Sequence, residues 1–163
     1  MIRFVLAVLM ALAIPMGAAR AQQEVPVNYS SPLVITTADG ARHEFMVEVV
    51  QNGPARTQGL MFRNSMPAEA GMLFLFPDST ERYFWMKNTL IPLDIVFIQG
   101  NGTIHHIHEG AKPLDLTPIP SNGPVPVVLE LNAGTVQALG IKAGDRVLHA
   151  DVANSLAPEP GNQ

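Results

Sequence analysis

Apolar residues fall in short alternating or continuous runs along most of this chain, separated by glycine, proline and asparagine, which favours strands over helices. Leu33 to Thr37 and Arg42 to Val50 are two such runs, and the Ala38-Asp39-Gly40-Ala41 link supplies the positive φ of a tight turn. They predict an opening β-hairpin, with Phe45, Val47 and Val49 on one face of its second strand and Glu44, Met46, Glu48 and Val50 on the other. Asn52-Gly53-Pro54 is a helix start, so a short helix is expected from Pro54 to about Met61. Gly59 weakens that helix by up to ~1 kcal/mol relative to alanine, as would a glycine placed to let another segment approach.

Four apolar segments follow, Gly71 to Phe76, Glu81 to Met86, Leu93 to Ile98 and Thr103 to Ile107, with turns expected at Pro77-Asp78, Asn88-Thr89 and Gln99 to Gly102. Ala111 to Pro126 carries Pro113, Pro118, Pro120, Pro124 and Pro126, which excludes a regular helix or a central strand and predicts a long semi-rigid loop. Val127 to Leu131 resumes as a strand. Asn132 can cap a two-turn helix ending at Gly140, and Arg146 to Ala150 is the last strand. The expected fold is α+β with β dominant, a small barrel-like sheet of about seven to nine short strands and two short helices.

The two ends differ from this body. Met1 to Arg3 is basic, Phe4 to Ile14 is apolar and Ala19-Arg20-Ala21 is an A-x-A site, the pattern of a signal peptide over 1–21. The apolar run is short against the ~20 residues of a membrane span, so export and cleavage are expected, to the periplasm or outside, with no stable membrane insertion afterwards. Residues 22–31 and 153–163 read as flexible segments around one globular domain at 32–152, expected to be monomeric. The formal charge of −4 becomes more negative once Arg3 and Arg20 are removed, which argues against nucleic acid as a partner. With no cysteine there is no disulfide framework, thiolate metal site, cysteine nucleophile or acylated lipoprotein cysteine.

Three stretches then stand out in order: Arg56-Thr57-Gln58-Gly59-Leu60-Met61-Phe62-Arg63, Gly71-Met72-Leu73-Phe74-Leu75-Phe76, and Trp85-Met86-Lys87-Asn88-Thr89-Leu90-Ile91-Pro92-Leu93-Asp94. With Leu129-Glu130-Leu131-Asn132-Ala133-Gly134 and Gly140-Ile141-Lys142-Ala143-Gly144-Asp145-Arg146-Val147, they resemble the domain of unknown function 192 family over roughly Leu33 to Ala150. The resemblance implies a compact β-rich domain, often exported in bacteria, and implies no reaction or ligand.

Candidate chemistry comes from polar residues set in apolar surroundings: Arg56, Arg63, Trp85, Lys87, Asn88, Asp94 and Glu130. Burying an unpaired charge is costly, so these should find one another. One arginine forking onto Asp94 or Glu130 would be a structural network that fixes the sheet's register. Alternatively the two carboxylates would be acid and base in a cleft, as in an envelope hydrolase, with Lys87 and Asn88 holding substrate. A lone tryptophan is most often core, although Trp85 could be a platform for a sugar or another flat ligand. His105, His106 and His108 with Met61, Met72 and Met86 raise copper or other metal handling, although methionines usually fill cores. No P-loop, G-x-G-x-x-G, G-x-S-x-G, H-E-x-x-H or S-x-x-K is present, so no cofactor and no catalytic template is indicated. The leading expectation is a binding or accessory module of the cell envelope, with a small ligand or an envelope protein as its partner.

Overall fold

The computed structural model describes residues 27–153. The signal peptide, residues 22–26 of the N-terminal segment and residues 154–163 of the tail lie outside the described residues. In chain order the elements are β1 (Ser31–Thr36), β2 (Arg42–Val50), α1 (Gly53–Gln58), β3 (Ala70–Phe84), β4 (Leu93–Ile98), β5 (Ile104–Ala111), β6 (Ile119–Asn132), α2 (Thr135–Leu139), β7 (Arg146–Leu148) and α3 (Ala150–Ala153). Seven strands form one sheet in the order β5-β4-β6-β3-β2-β1-β7. All neighbours are antiparallel except β2 and β3, whose parallel pairing follows from the connection through α1.

The sheet curls into a half-barrel until its two edges touch. Ile104 N donates to Asp145 O (2.8 Å), Gly144 N to Ile104 O (2.9 Å) and Val147 N to Gly102 O (2.7 Å). Gly102 sits at φ 81°, and a Cβ there would lie 2.5 Å from Val147 O, so the closure needs a residue without a side chain.

Two apolar cores result, one on each face, because successive residues of a strand point to opposite sides. The first joins Leu33, Phe45, Val96 and Leu129 with Ile104 and Val147 from the two meeting edges, and Val136 of α2 and Val152 of α3 pack against it. The second gathers Met72, Phe74, Ile95, Phe97 and Val128 on the other face, where Leu60, just past α1, and Met86 cover them.

The opening hairpin forms as the pattern predicts, with Gly40 at φ 87° in its turn. Asn52 caps α1 by accepting from Ala55 N (2.8 Å), and Gly59 ends it at φ 48°, where a Cβ would stand 3.4 Å from the Phe74 ring. Four expectations are corrected. Gly71 to Phe76 and Glu81 to Met86 are not two strands around a turn: β3 is continuous, and Pro77-Asp78 lies in a register shift between Leu75 and Thr80. Residues 119–126 are not loop but the first half of β6, a central strand. The prolines are tolerated because β4 pairs only with Val127 to Asn132, so residues 119–126 form a two-stranded arm with β3 and have one side free of ladder partners. Asn132 caps no helix; it ends β6 and its Nδ2 donates to Met66 O (3.1 Å) and Pro67 O (2.9 Å). Three short helices are seen among the described residues, the third being α3, where two were expected.

Candidate functional site

The arm formed by β3 and β6 extends past the main sheet, and α1 lies beside its root. Between them opens a cleft of about 470 Å³. Phe74, Phe76, Tyr83, Phe84 and Trp85 supply its aromatic surface, Arg56 comes from α1, and Glu130 comes from β6. Phe84 packs edge-on against Phe74 (ring centroids 5.1 Å apart) and Phe76 (6.5 Å), so the wall is a locked cluster of rings. Tyr83 and Trp85 remain 64% and 48% exposed and leave ring surface for a visitor.

Glu130 is the unusual member. Its register partners are Met72 on β3 and Ile95 on β4, which puts its side chain on the face of the second core. It is 5% exposed, and Oε2 has no hydrogen-bond partner. Burial raises its pKa to about 8 from the usual 4.5, against an opposing pull from the Arg63 guanidinium. The carboxyl therefore keeps its proton at neutral pH, and in that state it can donate a hydrogen bond.

The remaining expected site residues divide. Arg56 lines the cleft and is held there: its Nη1 donates to Gln51 O and to Leu75 O (2.9 Å), and its guanidinium stands 5.1 Å from the Phe76 ring centroid. Trp85 is exposed rather than core, and the exposed Lys87 places its ammonium 5.1 Å from the Trp85 ring. Asn88, at φ 54°, accepts from Phe62 N (2.9 Å) and points Nδ2 to Met61 Sδ (3.8 Å), fastening the segment after α1 to the turn after β3. Arg63 is buried but reaches neither Asp94 nor Glu130 by a hydrogen bond. It pairs with Glu48 of β2 (2.7 Å) and donates to the Tyr29 hydroxyl (3.2 Å). Glu48 was visible as a polar position on the Val50 face of β2, which was the available signal for this pair.

Asp94 belongs elsewhere. It stands opposite Leu131, one position out of step with Glu130, so the two carboxyls project from opposite faces of the sheet. Asp94 is fully buried, accepting from Gly110 N at Oδ1 (2.9 Å) and from Val136 N at Oδ2 (3.0 Å), so it satisfies the first turn of α2 and a loose end of β5. An acid and base drawn from Asp94 and Glu130 cannot share a substrate in this geometry. No residue between Ala111 and Val125 lines the cleft either, so the proline-bearing segment does not roof it.

The histidines stay apart from this site. His106 stacks on Phe97 (5.8 Å, 10° between planes), with its pKa lowered by burial, and His105 Nε2 meets Asn122 O (3.1 Å). Met72 and Met86 are in the second core, and no group of three or more histidine, aspartate or glutamate side chains is placed to hold a metal among the described residues. No helix among them is long and apolar enough to cross a membrane.

A curled seven-stranded half-barrel with an aromatic cleft beside a short helix is thus the class that fold and site define. The model of the domain of unknown function 192 family, described as uncharacterised ACR, matches residues 34–149, and the chain belongs to that family. Two solved structures are similar to it. One is a protein of Sinorhizobium meliloti 1021 described as a candidate transcription regulator, 44% identical, covering 78% of this chain and 99% of that one, with a TM-score of 0.74. The other is a protein of unknown function from Novosphingobium aromaticivorans DSM 12444, 42% identical over 72% of this chain and 83% of that one, with a TM-score of 0.68. No curated protein matches the chain.

Proposed function

We propose that this protein is an exported binding module of the cell envelope whose small ligand occupies the cleft between α1 and the β3–β6 arm. One observation carries the reading: a concave site with open aromatic faces is also lined by Glu130, a buried carboxyl whose Oε2 has no partner within the fold. The N-terminal pattern ending at Ala21 supports export. The chain's acidic balance gives no support to DNA binding, so the regulator description stays with the Sinorhizobium protein.

The test is thermal unfolding of the protein from Gln22 onward against sugars, cell-wall fragments, small acids and alkylammonium ions. A ligand at 100 times its Kd adds ~2.7 kcal/mol, a rise of roughly 5 to 10 °C for a domain of this size. The rise should vanish in Trp85→Ala, a change at a half-exposed position outside both cores. A midpoint unmoved by the whole panel refutes the small-ligand reading. Osmotic-shock release of a protein whose N-terminal sequence starts at Gln22 is expected; retention of Met1 in the cytoplasm refutes export.

A further inference from the structure

The ring faces, the buried carboxyl, Arg56 in the cleft and Lys87 beside Trp85 together restrict what can bind. A hydrocarbon would satisfy the rings but offer nothing to the Glu130 carboxyl that lines the cleft, for which no hydrogen bond within the fold is seen at Oε2. An organic cation would suit the rings as well, yet it would meet Arg56 inside the cleft and Lys87 standing over Trp85, and it would find no fixed negative charge below. A hydroxylated ring meets every condition. Its C–H face would lie on the Tyr83 and Trp85 rings, and its oxygens would accept from the Glu130 carboxyl and from an arginine already oriented by two backbone carbonyls.

We infer that the cleft takes a pyranose-type saccharide ring, stacked on Tyr83 and Trp85, and that the Glu130 carboxyl forms the hydrogen bond that holds a ring or hydroxyl oxygen. This inference rests on the proposed binding role of the same cleft. Binding should then weaken as Glu130 loses its proton. The groups around it are Arg63, paired with Glu48 of β2; Arg56 from α1; Tyr83 on the arm; and, in the same cross-strand row through Ile95, His108 of β5. Tyr83 is held above its usual 10 by its hydrogen bond to Glu81 and by that residue's charge, so it stays neutral over the range that matters.

The chain's single tryptophan lines the cleft, so its fluorescence reports occupancy directly. The experiment titrates N-acetylglucosamine, glucose and galacturonic acid, with tetramethylammonium and benzoate as contrasts, at pH 6.5 and pH 9. With a folded pKa of about 8, roughly a tenth of the protein keeps the donor at pH 9, so a saccharide should bind about tenfold more weakly there. In Glu130→Gln the amide still donates, and binding should persist and lose this pH dependence. In Glu130→Leu binding should fall at least tenfold while the fold is kept. Saturable saccharide binding that is equal at both pH values in the unaltered protein, or a pH dependence that survives in Glu130→Gln, overturns the role of Glu130 and leaves the cleft as a binding site. Binding of tetramethylammonium or benzoate in place of saccharides overturns the ligand class. If no probe changes either the fluorescence or the thermal midpoint, both the inference and the binding role fall.

Discussion

Replacing Glu130 with glutamine keeps the side chain's size and removes its titration, so it isolates the cost of burying this carboxyl. Below pH 4.5 the group is protonated whether the chain is folded or not, and its contribution does not vary with pH. Between 4.5 and about 8 the unfolded chain releases the proton while the folded one retains it, so stability falls as pH rises. Above 8 both states are ionised, and the fold carries the full penalty of a buried charge that only the nearby Arg63 offsets. At about 1.4 kcal/mol per pH unit, the interval from 4.5 to about 8 corresponds to about 5 kcal/mol. That is a large share of the ~5–15 kcal/mol that holds a domain together. Urea unfolding of both proteins at a series of pH values from 4 to 9 reads the effect. The glutamine variant should gain on the parent steadily, by roughly 2 to 3 M in midpoint across the range for a slope near ~2 kcal/mol per M. Subtracting one protein from the other cancels His106 and His149, both held below the ordinary histidine value by burial, whose penalty grows in the opposite direction, as pH falls. Parallel curves, with a difference that does not change between pH 5 and 8, would refute the claim that this carboxyl is desolvated.

Two further substitutions probe the frame around the cleft. Gly71→Ala should cost about 1–3 kcal/mol and lower the thermal midpoint by several degrees, because the new Cβ would stand 2.8 Å from Glu130 O and 3.0 Å from Leu131 Cδ2; an unshifted midpoint would mean that β3 and β6 are free to separate. Asp94→Asn leaves one acceptor oxygen for two backbone N–H groups, so stability should drop by about 1–3 kcal/mol and the amides of Gly110 and Val136 should exchange faster with solvent, whereas unchanged exchange at both would contradict the tie to α2.

Much of this architecture is local and was open to inspection in the chain itself. Alternation placed Phe45 and Val47 on one face of β2, Asp39-Gly40 made the first turn, and Asn52 and Pro54 started α1, because each depends on neighbours a few residues away. The ordered motifs from Arg56 to Val147 were enough to indicate the family, and Arg56, Trp85 and Glu130, which line one cleft, stood out as polar or large aromatic residues set among apolar ones. What stayed hidden depends on strand register and on strand partners. The one-step offset that sends Asp94 and Glu130 to opposite faces exists only once β4 and β6 are paired. Prolines look incompatible with a central strand until it is seen that β4 stops short of them and leaves β3 as the sole ladder partner. The choice of Glu48 over Glu130 as the partner of Arg63 is likewise tertiary, and it leaves the Glu130 carboxyl, which lines the cleft, without an ion-pair partner. Sequence determined which residues are chemically able to form a site; the curl of the sheet and its register decided which of them meet, because side chains far apart in the chain interact only where long-range pairing brings them together.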